Sequence, residues 1–156
     1  MKSLKEIGFK KALRFGIYTI LLEVFKLMIF PQLRKPYLRL LGAKIGKNTI
    51  IHSVKFFNYY ANGFRNFEVG NNCFIGDDSL FDLANPMILE DNVTIAERVM
   101  VLSHTNVGYK DHPLQKKFAR VDKPVIFRKG CFIGAGALIL PGIRVGINAF
   151  VGGVRL

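Results

Sequence analysis

The chain has 156 residues, half of them hydrophobic, and 23 Lys and Arg against 11 acids, which is material for one core plus an appendage and a formal net charge of +12. The charge is uneven: residues 1–47 carry eleven Lys/Arg against Glu6 and Glu23, a net of +9, and residues 48–156 carry only +3. Because the excess sits in an apolar N-terminal segment and not on an aromatic–basic surface, nucleic acid is not expected as a partner, and two cysteines without metal-type spacing argue against a disulfide framework or a zinc cluster.

In chain order, Leu4 to Phe30 reads as helical, with apolar residues dense from Phe15 to Phe30 and interrupted by Glu23 and Lys26. The run is too short and too charged for a membrane span, and no small-residue cleavage site comes after it, so a signal peptide is not expected. Pro31 and Pro36 end or kink the helix. A basic, amphipathic helix of this kind lies in a membrane interface or packs against the start of the adjoining C-terminal unit, and the two are compatible. Residues 1–41 are therefore assigned to a basic amphipathic helix and linker, and residues 42–156 to a second unit.

That unit has a six-residue beat. An aliphatic residue, often followed by Gly, returns at Ile45-Gly46, Ile51, Phe57, Gly63, Val69-Gly70, Ile75-Gly76 and Phe81. After a two-residue slip it resumes at Leu89, Ile95 and Val101, and after a longer interruption at Phe127, Ile133-Gly134, Ile139, Val145-Gly146 and Val151-Gly152. A small or β-branched residue stands at the fourth position after each beat: Thr49, Ala61, Cys73, Ser79, Val93, Val99, Thr105, Cys131, Ala137 and Ala149. A hexapeptide period predicts a parallel β-helix. Strand side chains two apart share a face, so each short strand sends one small and one large residue inward. Gly, Asn and Asp supply the corners. Cys73 and Cys131 fall on the small inward position and read as packed thiols. The beat fails at Lys55, Gly63 and Phe67, making Lys55–Phe67 the least regular stretch.

From Val101 to Phe127 is 26 residues where the beat asks for six, so a loop is extruded at about 103–124. Long loops leaving a rigid scaffold commonly carry function. His104 stands at its root, and Tyr109, Lys110, Asp111, His112, Lys116, Lys117 and Arg120 lie within it. The third histidine, His52, comes after an inward Ile and reads as a surface residue.

The hexapeptides, the Ser103-His104 loop root and the stretch PVIFRKGCFIGAGALILPGIRVG from Pro124 to Gly146 together resemble the hexapeptide-repeat acyltransferases. The nearest branch is that of the sugar O-acetyltransferases, of the maltose and galactoside type and of capsule, O-antigen and exopolysaccharide assembly. The resemblance covers residues 42–156. It implies an all-β fold, a left-handed parallel β-helix (an exception to the right-handed crossover rule) preceded by the N-terminal amphipathic α-helix. It also implies a homotrimer with active sites between subunits, acetyl-CoA as co-substrate and no metal. Carried over residue by residue, it makes His104 the general base, places acetyl-CoA against backbone amides at Ala135 and Gly153, and sets Phe132 near the cofactor. Where relatives continue with a Ser-Val-Val-Thr-Lys-like segment and a cap, this sequence ends at Val154-Arg155-Leu156. The expectation is that it is truncated there or covered by other protein.

O-acetylation needs a base to take a proton from a hydroxyl attacking a thioester, and imidazole, with an unperturbed pKa of about 6.5, suits that task. Its tautomer needs a partner. The candidates are Asp82, then Asn85, which flank the two-residue slip, then Asp111. Lys116, Lys117 and Arg120 are candidates for coenzyme A phosphates or an anionic glycan, and a solvated face explains them equally well. The expected function is O-acetylation of a sugar hydroxyl in surface polysaccharide or glycolipid synthesis, in the cytoplasm and, through residues 1–41, peripheral at the inner membrane face. An amino-sugar N-acetyltransferase and a non-catalytic β-helix scaffold are the alternatives. A zinc-dependent carbonic anhydrase of the same architecture is disfavoured, because its three histidine ligands have no match in the spacing of His52, His104 and His112.

Overall fold

One small and one large inward residue per hexapeptide, with corner residues between, dictates a coil of three short strands per turn. The computed structural model describes residues 9–60, 62–108 and 112–154 and has this form. The first sheet stacks β1 (Lys44–Ile45), β4 (Phe67–Val69), β7 (Met87–Leu89), β12 (Val125–Phe127) and β15 (Arg144–Val145). The second stacks β2 (Ile50–Ile51), β5 (Phe74–Ile75), β8 (Thr94–Ile95), β13 (Phe132–Ile133) and β16 (Phe150–Val151). The third stacks β3 (Lys55–Phe57), β6 (Leu80–Asp82), β9 (Met100–Val101) and β14 (Leu138–Ile139). All pairings in these sheets are parallel and in register, for example Ile51 with Ile75 and Ile75 with Ile95. The stacked aliphatic residues are buried and form the core with Cys73 and Cys131. Burial pushes the Cys131 thiol up to about 11, so it stays protonated and unreactive at neutral pH.

One column of corners shows why the sequence repeats Asn. Asn48, Asn72, Asn92 and Asn148 all have φ between 53° and 59°, and Gly130, in the same column, has φ 72°. Asn tolerates this left-handed conformation better than other residues with a side chain.

The departures from the beat are informative. Ile51 to Phe56 is one residue short of the usual six, so Phe56 points inward where the beat names Phe57, which is only partly buried. Lys55 faces outward to Asp78 (2.9 Å), and Gly63 lies in a 3-10 turn (Gly63–Asn66) instead of a strand. Phe67 is fully buried, in register with Met87. Thr105 is exposed instead of inward, because the chain has already left the coil. Ala61 lies outside the described residues.

All added length leaves by one corner, between the third sheet and the first. The inward residues there, Phe56 to Val69, Phe81 to Leu89, Val101 to Phe127 and Ile139 to Val145, are 13, 8, 26 and 6 residues apart. The long excursion opens with a two-stranded antiparallel stem, β10 (His104–Thr105) on β11 (Val121–Asp122), with His104 opposite Asp122. A 3-10 turn (Pro113–Lys116) within it is capped by the His112 ring nitrogen, which accepts from the Leu114 N–H at 3.2 Å.

Two helices cover the first turn of the coil. In α1 (Phe9–Lys26), Leu22 and Phe25 are buried, and Tyr18 and Phe25 meet Tyr59, Phe64 and Phe56 at ring separations near 6 Å. The expected start at Leu4 falls outside the described residues. The expected linker after Pro31 is instead a second helix, α2 (Pro31–Leu40), because proline at a first helical position needs no N–H partner and arrives with a helical φ. Pro36 sits inside α2 without ending it. Tyr37 Oη donates to the Leu21 carbonyl (2.8 Å), and buried Arg34 donates to the Met28 carbonyl (2.9 Å), tying the helices together. No described helix is long and apolar enough to cross a membrane.

Candidate active site

The corner that gathers the insertions also gathers the chemistry. Asp82 ends β6 at the two-residue slip, His104 opens the stem one turn later, and Asn58 comes directly after β3 one turn earlier. The Asp82 side chain has no solvent exposure. Its Oδ2 accepts from the Ser103 and His104 N–H groups, both at 3.0 Å, and from His104 Nδ1 at 2.5 Å. Its Oδ1 accepts from Asn58 Nδ2 at 2.8 Å and from the Ala84 N–H at 3.1 Å. Burial by itself would push this carboxyl up; the hydrogen bonds from His104, Asn58, Ala84 and Ser103 outweigh it and hold the group below its ordinary value. Asp82 is therefore a carboxylate at neutral pH.

An ionised carboxylate only accepts, so the proton between the two residues resides on His104 Nδ1. That fixes the tautomer and leaves the lone pair on Nε2, which no described residue engages. The imidazole is 23% exposed: held on one side, open on the other. Asn58, to which the repeat pattern gives no role, lies 3.4 Å from Nδ1 and bridges to Asp82. Its one sequence signal is an Asn in the least regular stretch, and it adopts φ 58°.

Asn85, the second candidate partner of His104, is placed otherwise. Its N–H donates to Ser103 Oγ (2.9 Å), and its amide donates to the Ser103 carbonyl (3.0 Å) and Asp122 Oδ1 (3.2 Å). It anchors the loop stem. Asp122 pairs with Arg120, whose guanidinium holds that carboxyl low. Asp111 lies outside the described residues. Lys116 and Lys117 are exposed. His52 is at a different corner, 3.0 Å from Asp77. Among the described residues, no three His, Cys, Asp or Glu side chains come together as a metal-binding group.

Further along the coil, the backbones of Ala135 and Gly153 are stacked one turn apart, with the Ala135 carbonyl accepting from the Val154 N–H at 3.0 Å. Both residues have open surface, and among the described residues neither N–H has a hydrogen-bond partner. Phe132 stacks on Phe150 with centroids 5.0 Å apart.

The Asp82 geometry gives a pH dependence whose sign is fixed. A native carboxyl held below its unfolded value, about 3.9 for Asp, adds stability that is complete above that value and lost as pH falls through the native one. The Tm is expected to hold between about pH 7 and about pH 5 and to fall below about pH 4, and Asp82→Asn to have a lower Tm at neutral pH with a shallower acid limb. Thermal melts of both proteins across that range test this; parallel acid limbs would refute it.

Comparison with known proteins finds the same repeat and the same fold elsewhere. A family model described as hexapeptide repeat of succinyl-transferase matches residues 68–97 and 124–153. The chain is 26% identical over 127 residues to the galactoside O-acetyltransferase of Lactococcus lactis, spanning 78% of this chain and 56% of that relative's length. A galactoside acetyltransferase solved in complex with coenzyme A superposes with a TM-score of 0.74 at 20% identity, covering 94% of this chain and 72% of that one. A hexapeptide-repeat acetyltransferase of Vibrio cholerae, solved with acetyl coenzyme A, gives 0.71 at 17% identity over 89% of this chain and 72% of its own. Repeat, fold and relatives converge on one likeness: the chain has hexapeptide repeats and the fold of the acetyltransferases that it resembles, and it spans little more than half the length of the curated relative.

Proposed function

We propose that the protein is an acetyl-CoA-dependent O-acetyltransferase acting on a sugar hydroxyl, with His104 as general base. The observation that carries this is the Asp82-oriented imidazole with an open Nε2, set at the loop stem. In this reading Nε2 takes the proton of the acceptor hydroxyl as that oxygen bonds to the thioester carbonyl carbon. Collapse of the tetrahedral intermediate breaks the carbon–sulfur bond, and the proton passes from the imidazolium to the departing thiolate. Asp82 stays ionised and stabilises the imidazolium. The free N–H groups of Ala135 and Gly153 suit the amide-rich arm of acetyl-CoA, with Phe132 beside it.

Residues 1–41 form the appendage and 42–156 the catalytic coil, with the loop at about 103–124 shaping the acceptor site. The working unit is a homotrimer, for which the exposed, outward Met100 and Leu138 of the third sheet offer apolar contact surface. The relative named for galactoside supports a sugar acceptor, and synthesis of a surface polysaccharide or glycolipid is the setting proposed.

Calorimetric titration with acetyl-CoA, followed by thiol-release assays over a panel of sugars and amino sugars, tests the reading. Binding with thiol release on hydroxyl acceptors is the expected result. Release on amino sugars alone would make it an N-acetyltransferase, and no binding by the native oligomer would overturn the enzyme assignment.

A further inference from the structure

The helix α1 has two apolar faces, and the coil covers only one. Tyr18, Leu22 and Phe25 pack on the first turn. On the opposite side Leu13, Ile17, Ile20 and Val24, and Leu27 directly after the helix, recur at intervals of four and three, which places them in one stripe. All five are exposed, Leu27 by 79%. The apolar surface does not stop at the helix end. Ile29 and Phe30 in the connection, 80% and 64% exposed, carry it to Leu33 and Leu40 of α2. An open groove of about 480 Å³, lined by Leu13, Ile17 and Leu21 from one helix, Leu40 from the other and Leu41 directly after it, joins the two. Helix surface of this extent is normally buried.

Charge decides between occupants. The stripe's spacing suits pairing with a second copy of the helix, but the first 47 residues carry a net +9, so a second copy would bring the same excess positive charge. An anionic bilayer presents the complementary charge and attracts each Lys or Arg held near its surface, and it accepts a broad apolar plane as readily as a seam.

We propose that the outer face of α1, the 27–30 connection and α2 dock on an anionic lipid bilayer, with the apolar stripe sunk at the level of the head groups. This surface is independent of the acetyltransferase reading, since none of its residues belongs to the His104 site. It lies along the membrane and does not span it.

The test is co-sedimentation of the full chain, as its native oligomer, with vesicles of phosphatidylcholine alone and of phosphatidylcholine containing phosphatidylglycerol. The protein is expected to sediment with the anionic vesicles, to bind neutral ones at least tenfold more weakly, and to be released by high salt. The double variant Ile20→Ser/Leu27→Ser should weaken anionic binding by about tenfold or more, as the loss of two buried aliphatic side chains requires. Acetyl-CoA titration of the same variant should match the wild type, so that failure of docking and failure of the transferase reading register separately. Wild-type protein left in the supernatant with both vesicles would overturn the proposal. So would unchanged sedimentation of the variant, or a fall in its oligomeric mass by light scattering, which would assign the stripe to a second copy.

Discussion

Replacing His104 by alanine is expected to lower kcat for acetyl transfer by roughly 10²–10⁴ while leaving acetyl-CoA binding intact, the loss typical of removing a positioned general base. The reason is local. Nδ1 is committed to Asp82, and Nε2 is the ring nitrogen left open. His52 is held by Asp77 at a different corner, and the His112 ring caps a turn within the loop. The truncation leaves the backbone N–H of residue 104 free to keep its bond to Asp82, so the stem should persist. Steady-state kinetics with calorimetry on the same sample separates the two effects. A variant retaining a tenth or more of wild-type kcat would remove His104 from the role of base.

Asp82→Asn should be nearly as damaging to turnover, again by roughly 10²–10⁴, through a different route. A carboxylate requires the proton on Nδ1, whereas an amide presents its own N–H₂ group and favours the opposite tautomer, in which Nε2 carries the proton and cannot accept one. The equivalent change in a Ser-His-Asp triad costs about 10⁴ by that mechanism. The variant also turns an acceptor of five hydrogen bonds into a side chain with one accepting atom, leaving some of the Ser103, His104 and Ala84 N–H groups unpaired in a buried site. Breaking a buried charged arrangement of this kind costs about 3–5 kcal/mol, so the Tm should fall together with kcat. Wild-type activity in Asp82→Asn, at any Tm, would show that the tautomer does not matter to the reaction.

The coil is legible because a buried two-residue strand tolerates few residue types, and stacking repeats that demand at each turn. Ile75, Ile95 and Ile133 are in phase in the sequence for the same reason that they are in register in the second sheet. Legibility is lost where one residue is removed or the chain leaves the coil. The corner after Ile51 is a residue short, which exchanges Phe56 for Phe57, two residues that no hydrophobic count tells apart. Thr105 satisfies the beat by type but lies on the antiparallel stem. The pairing of Asp82 with His104 is approachable because both flank breaks in the beat one turn apart. Asn58 is not, since its place depends on how an irregular segment with a 3-10 turn returns to the coil, and no periodic signal encodes that. In the N-terminal segment, Pro31 reads as an end although it is the start of a helix, because proline looks alike on both sides of such a boundary.

Confining every insertion to one corner has a consequence for how such a chain changes over generations. The other two corners keep nearly constant spacing, so stacking is indifferent to what is hung on the third. Extra residues there cost little beyond loop closure, about 0.6 kcal/mol for each doubling of length. A lineage built this way is free to lengthen, shorten or exchange the segments beside the histidine, and so, under the transferase reading proposed above, to move from one acceptor to another, while the stack beneath them is inherited unaltered.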